Sequence, residues 1–261
     1  MHTADQEKFK MFRGKVAIIT GSAQGLGKAY AKSLLERESK VCICDVNKAV
    51  LEKTYTEFKS EYGENVIFQT CDVTRTQQLE ELFKKTRDAF GKIDIVVNNA
   101  GIVDEKDWEK CIDVNLNGVI RGTLLGLEYL RKDKGGNGGV IVNIASLAGV
   151  YPVNYGPAYA ASKHGVIGYT RSWATHPEVI NNGVRLVCLC PAFVDTDMLN
   201  VEEEKVVGSE LSQDFIKILD IMSIEEVIPV FVKAIAEEDN NGSVFSIRKT
   251  GAEILSFPEI K

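Results

Sequence analysis

Tyr159 and Lys163 stand four residues apart in a stretch with helical spacing, which makes them neighbours on one face. A phenol with its ordinary pKa of about 10 is a poor base near neutrality, and an adjacent ammonium stabilises the phenolate and lowers that pKa. Ser146 lies thirteen residues earlier, at the end of an apolar run. Its hydroxyl can hold a substrate oxygen while the tyrosine moves the proton. Taken singly, Tyr159 reads as a half-buried amphipathic residue and Lys163 as a solvated one. Together with Ser146 they suit acid–base chemistry at a hydroxyl or a carbonyl.

A nucleotide loop upstream strengthens that reading. Thr20-Gly21-Ser22-Ala23-Gln24-Gly25-Leu26-Gly27 lies between a strand-like run and a helical pattern. Glycines there permit a tight turn and let the backbone approach a pyrophosphate, which faces the N–H groups and positive dipole end of the helix. The spacing is G-x-x-x-G-x-G rather than the general G-x-G-x-x-G. Asp45 stands 24 residues after Gly21, where a carboxylate accepts hydrogen bonds from the adenosine ribose. It would repel the 2′-phosphate of NADP, and Val46 and Asn47 follow it rather than Arg or Lys, so NAD is favoured. The plainer alternative for Asp45 is a helix cap. Cys71-Asp72-Val73 follows the third strand, where an Asp can bond the adenine edge, and Asn98-Asn99-Ala100-Gly101 follows the fourth. The expected cofactor contacts are Gly21, Ser22, Gln24, Gly25, Leu26, Gly27, Asp45, Val46, Cys71, Asp72, Val73 and Asn99.

The elements that must position these residues follow a regular rhythm. Short apolar runs at 16–20, 41–44, 66–68, 93–97, 140–144 and 184–188 alternate with helical patterns over 28–38, 48–62, 77–90, 108–130 and 158–175. A helix over 224–237 and a strand over 243–247 follow. Strands apolar on both faces and separated by helices indicate a covered parallel sheet, and right-handed crossovers make it doubly wound. The expectation is α/β: a Rossmann-type three-layer sandwich with a seven-stranded parallel sheet. A single domain over 1–261 is expected, with a substrate lid at about 196–222.

The 261 residues are 44% hydrophobic and 26% charged, with a formal net charge of −6. That is a globular composition. The acidic balance disfavours nucleic-acid partners and a polybasic membrane anchor. No run approaches the roughly 20 apolar residues of a membrane span, and the polar first residues are unlike a signal peptide. A cytoplasmic location is expected. The six cysteines form no C-x-x-C pair, so buried thiols are expected and no metal.

With the motifs 20–27, Asp72, 98–101, Asn115, Ser146, Tyr159-x-x-x-Lys163 and 191–196, the chain resembles the short-chain dehydrogenase/reductase family over about 14–247. The resemblance implies that Tyr159 is the general acid/base, that Ser146 polarises the substrate oxygen, and that Lys163 lowers the tyrosine pKa and binds the nicotinamide ribose. Asn115 would hold a helix kink and a water linking the lysine to solvent. Val194 and Thr196 would bind the nicotinamide carboxamide, and the helices over 108–130 and 158–175 would pair two copies in a homodimer. Two positions depart from the pattern. Pro191-Ala192 replaces the usual Pro-Gly, and alanine would strain the loop if that position needed a positive φ. One branch of the family has a glutamine three residues before the tyrosine that contacts the substrate hydroxyl. Here that position, expected beside Ser146 and Tyr159 in the substrate site, is Gly156.

The 198–222 segment offers Met198, Leu199, Val201, Val206, Val207, Leu211, Phe215, Ile218, Leu219 and Ile221. An apolar lid suits a lipid-like alcohol or ketone more than a sugar. Glu202-Glu203-Glu204 against Lys205 and Lys217 gives no evident clamp for a fatty-acid carboxylate. A retinoid, isoprenoid or steroid is therefore expected as readily as a hydroxyeicosanoid, in lipid metabolism. The NAD preference points to oxidation in the cell. A sugar-nucleotide epimerase would need a second substrate domain, and a serine hydrolase a G-x-S-x-G elbow, which the sequence lacks. A non-catalytic NAD sensor on the same fold is the alternative of a different class.

Overall fold

The computed structural model describes residues 11–199, 205–207 and 220–258. The polar leader, and within the lid Val201, Glu202-Glu203-Glu204, Leu211, Phe215, Lys217, Ile218 and Leu219, lie outside the described residues. One sheet carries the strands β1 (Val16–Thr20), β2 (Lys40–Asp45), β3 (Val66–Thr70), β4 (Ile95–Asn98), β5 (Gly139–Ile144), β6 (Val184–Pro191), β7 (Val244–Arg248) and β8 (Gly251–Ile254). Their order is β3-β2-β1-β4-β5-β6-β7-β8.

The first seven strands are parallel, as expected. The eighth corrects the expected count: β8 folds back antiparallel onto β7 after a two-residue turn. All four of its residues are exposed, so Gly-Ala-Glu-Ile shows none of the apolar run that betrays an inner strand.

Alternation along the buried strands feeds two faces. Ala17 and Ile19 meet Tyr30 and Leu34 of α1 (Gly25–Leu35), Leu51 and Phe58 of α2 (Lys48–Tyr62), and Phe231 of α8 (Ile224–Ala236). Ile18 and Val96 meet Leu79 and Phe83 of α3 (Thr76–Phe90) and Leu127 of α5 (Gly118–Leu130). Val166 and Ile167 of α6 (Pro157–Ala174) complete that second layer against Cys188 and Cys190. Each fully buried Leu, Ile or Phe contributes about 1.5–3 kcal/mol. The six cysteines are free and buried.

The helix expected over 108–130 is interrupted. α4 (Trp108–Ile112) passes through a π turn (Asp113–Asn117) before α5 begins. A short helix not foreseen, α7 (Pro177–Ile180), leads into β6. No described helix is long and apolar enough to cross a membrane.

Candidate active site

The carboxyl ends of β1 to β6 open into one cleft of about 950 Å³. Gly21, Gln24, Gly25, Leu26 and Gly27 line its nucleotide end, and the turn they form depends on glycine. Gly21 has φ +63°, and a Cβ on Gly27 would stand 2.1 Å from the Gly21 carbonyl oxygen. Gln24 gives α1 no side-chain cap and the first turn holds no acidic residue, so its N–H groups face the cleft as an anion site.

Asp45, Val46, Cys71, Asp72, Val73 and Asn99 line the same end. The Asp45 carboxylate accepts from the Ala23 N–H at 3.2 Å and the Asn47 N–H at 2.9 Å, which fixes its orientation. Asn99 zips two loops together: its Nδ2 donates to the Thr20 and Gly21 carbonyls at 2.9 Å each. Asp72 Oδ1 is engaged by the N–H and hydroxyl of Thr74. Ser22 is the exception among the expected contacts. It is buried, its Oγ donates to the Ile19 carbonyl at 2.8 Å and accepts from the Cys44 N–H at 2.9 Å, and it braces β1 to β2 instead of facing the cleft.

Ser146, Tyr159 and Lys163 meet in the middle of the cleft. Ser146 closes β5 and its Oγ accepts from the Ala148 N–H at 3.1 Å, capping a short 3₁₀ turn. That turn packs so tightly on α6 that a Cβ on Gly149 would lie 2.6 Å from the Lys163 carbonyl oxygen. Lys163 Nζ is buried, donates to the Ile144 carbonyl at 3.0 Å and stands 5.6 Å from the centre of the Tyr159 ring. Burial pulls the Lys163 ammonium down to about 8. Burial also pushes the Tyr159 phenol up to about 12, with the hydrogen bond from Ser146 acting in the opposite direction. The family resemblance implies that Lys163 lowers the tyrosine pKa; in the protein alone desolvation is the largest influence on the phenol, and it raises the pKa.

Asn115 does not line the cleft. It is fully buried in the π turn, where its Oδ1 accepts from the Ile102 N–H and its Nδ2 donates to the Ile102 carbonyl, both at 2.8 Å. Its amide also reaches Ser162 Oγ at 3.2 Å, and Ser162 Oγ donates to the Tyr159 carbonyl at 2.6 Å. Asn115 thus clamps the loop after β4 to the helix of Tyr159 and Lys163.

Val194 and Thr196 line the far wall, with Thr196 beside Gly25. Asp195 and Phe193 bond the backbone of Met222, which anchors the end of the lid to this loop. Ala192 carries no strain, since Glu38 is the one described non-glycine residue at positive φ. Gly156 lies next to Tyr159 as the N-cap of α6.

Two residues that the sequence did not single out belong to this region. Glu105 binds the first turn of α6 through its carboxylate. Arg248, at the carboxyl end of β7, donates to the Tyr151 hydroxyl at 2.7 Å.

A model of the short chain dehydrogenase family matches residues 15–206. The chain is 42% identical over 247 residues to human 15-hydroxyprostaglandin dehydrogenase [NAD(+)], covering 90% of this chain and 91% of that protein. Among solved structures it is similar to levodione reductase, with TM-score 0.78, 28% identity, and 91% and 97% of the two chains covered. It is also similar to a short-chain dehydrogenase/reductase from Burkholderia phymatum in complex with NAD, with TM-score 0.76, 27% identity and 87% of each chain covered. With the Tyr159–Lys163 pair and the glycine turn sharing one cleft, these matches place the chain in the short-chain dehydrogenase family, as an oxidoreductase of its alcohol dehydrogenase type.

Proposed function

We propose that the protein oxidises a secondary hydroxyl of a lipid-like alcohol to the ketone, using NAD. The observation that carries this reading is the meeting of Ser146, Tyr159 and Lys163 in the cleft whose other end is the glycine turn and Asp45. The turn fits a dinucleotide because glycine at 27 lets it close tightly, a Cβ there striking the Gly21 carbonyl, and because uncapped N–H groups of α1 face the space a pyrophosphate needs. Asp45 would hold the adenosine ribose, and Val194 and Thr196 the nicotinamide end. NAD, when bound there, supplies the hydride acceptor.

The chain's own residues handle the oxygen and its proton. Ser146 Oγ holds the substrate hydroxyl, and Tyr159 takes the hydroxyl proton as the C–O bond becomes a carbonyl. Burial leaves the phenol a reluctant acid, so the charge on Lys163 and the Ser146 hydrogen bond work in the direction catalysis needs. Asn115 supports them by fixing Ile102 and Ser162. A homodimer pairing through α5 and α6 is part of this reading, supported by the exposed Leu124 on α5.

Arg248 favours an acid-bearing lipid over a neutral one. The nucleotide end occupies the β1–β4 side of the cleft, so a substrate reaches Ser146 from the β5–β7 side. Arg248 ends β7 on that side, outside the residues that line the cleft and two strand spacings from β5, about 10 Å. Its guanidinium lies 5.2 Å from the Tyr151 ring centre, and Tyr151 is tied to the turn just past Ser146. It has no carboxylate partner among the described residues. The lid residues offer no evident clamp for a carboxylate, and Arg248 lies outside them on β7. A guanidinium in this position suits the carboxylate of a fatty acid. The name of the human relative makes a hydroxyeicosanoid the first substrate to try.

The test is NADH formation from a hydroxyeicosanoid, its methyl ester, retinol, farnesol and a hydroxysteroid, repeated with NADP. The free acid should lead the panel with NAD. Preference for a neutral isoprenoid or retinoid would overturn the acid-bearing class.

A further inference from the structure

The helix that carries Tyr159 has no cap of its own. Gly156 offers no side chain, Pro157 has no N–H, and the first turn of α6 holds no acidic residue. Its free N–H groups are nevertheless paired, both by one carboxylate from a loop more than 50 residues upstream. Glu105 Oε2 accepts from the Ala158 N–H at 2.9 Å and Oε1 from the Tyr159 N–H at 2.8 Å. The Ala160 N–H bonds the Gly156 carbonyl at 2.8 Å, which completes the turn. A charged acceptor spanning two successive N–H groups at the positive end of a helix makes a strong and directional contact.

The loop of Glu105 is itself held at both ends. Asn115 grips Ile102 on one side. On the other, Asp104 accepts from the Asp107 N–H at 2.9 Å, and Asp107 caps α4. The Glu105 backbone then reaches the lid: its N–H donates to the Lys205 carbonyl at 2.9 Å. Two residues on, the Val207 N–H donates to the Tyr155 carbonyl at 2.9 Å, just before α6. Residues 205–207 therefore bridge the Glu105 loop and the loop that leads into the Tyr159 helix.

We propose that Glu105 is a positioning residue that couples the docking of lid residues 205–207 to the placement of Tyr159. This rests on the reading of Tyr159 as the proton acceptor. The carboxylate sets the rotation of the first turn, and the lid sets where the carboxylate sits. Displacement of a reacting group by about 1 Å costs about a hundredfold in rate, so the coupling acts on turnover rather than on binding.

The experiment compares the wild type with Glu105→Ala, Glu105→Gln, Val207→Pro, the Glu105→Ala/Val207→Pro double variant and Tyr159→Phe. It reads kcat and KM for a 15-hydroxyeicosanoid at saturating NAD, NAD affinity, and amide hydrogen exchange over residues 156–163. Glu105→Ala should lower kcat by about 30- to 100-fold, with KM and NAD affinity within about twofold. Glu105→Gln, whose amide keeps one acceptor oxygen but turns an NH₂ toward the second N–H, should fall between it and the wild type. Val207→Pro removes the lid's N–H and should lower kcat by a smaller factor, and the double variant should be no slower than Glu105→Ala alone. Both sites should speed exchange in the first turn of α6. Glu105→Ala with wild-type kcat and only a lower melting temperature would overturn the proposal, as would multiplying effects in the double variant. First-turn exchange unchanged in Glu105→Gln and Val207→Pro would overturn it whatever the substrate. Full activity in Tyr159→Phe would instead bring down the reading on which it rests, whereas an inactive Tyr159→Phe beside a fully active Glu105→Ala would bring down this proposal alone.

Discussion

On the β1–β4 side, the cleft is walled by short loops in which side chains bond backbone groups at neighbouring strand ends, Asn99 to Thr20 and Gly21, Asp45 to Ala23 and Asn47. These loops leave the N–H groups of α1 facing the cleft. On the β5–β7 side, the wall is Ser146, Tyr159, Lys163 and the loop after β6. Contacts over long distances hold it from behind, Glu105 on α6 and Met222 on Asp195, with Arg248 on Tyr151 outside the lining. The first arrangement recognises a feature common to all dinucleotides, a pyrophosphate between two riboses, and backbone N–H groups suffice for it. The second must recognise one alcohol among many, and side chains carry that discrimination. The nucleotide half should therefore fail abruptly when its backbone is disturbed, and the substrate half should change preference by degrees.

Three substitutions bear on this contrast. Gly27→Ala places a carbon 2.1 Å from the Gly21 carbonyl oxygen and 2.5 Å from Asn99 Nδ2, so the turn must open. Overpacking of this kind costs about 3 kcal/mol, and NAD affinity measured by calorimetry should fall about a hundredfold. A wild-type Kd would mean that the turn is not the pyrophosphate site. Asp45→Ala should reduce the preference for NAD over NADP by about 10- to 100-fold, the value of a charged hydrogen bond, read as the ratio of kcat/KM for the two cofactors. Unchanged selectivity would show that another group sets it. Arg248→Ala should lower kcat/KM for a hydroxy acid about fivefold, as an exposed ion pair allows, and leave its methyl ester unaffected. Equal losses for acid and ester would assign Arg248 to the packing of Tyr151 instead of to recognition.

The same contrast explains what could be read from the sequence. The glycine turn, Asp45 and the Tyr159–Lys163 pair are local spacings, and the structure brings them into one cleft. The alternation of apolar runs and helical patterns announced the doubly wound sheet for the same reason. Ser22 was misplaced because its position in the turn resembles a ligand contact, whereas its hydroxyl turns inward to β2. Glu105 was invisible: in Val103-Asp104-Glu105-Lys106-Asp107 it reads as part of a solvated charged run, and its partners lie at 158 and 159. Arg248 is a lone cation at a strand end until β7 is laid two places from β5. The π turn at Asn115 left no mark on the helical periodicity, and only the family resemblance pointed to a kink there.

The most direct test of the central claim is NADH formation from a 15-hydroxyeicosanoid by the wild type and by Tyr159→Phe, with NAD affinity measured on both. The account predicts turnover by the wild type, a loss of at least about a hundredfold in the variant, and the same NAD affinity in each. A variant that binds NAD and keeps most of the wild-type rate would contradict it.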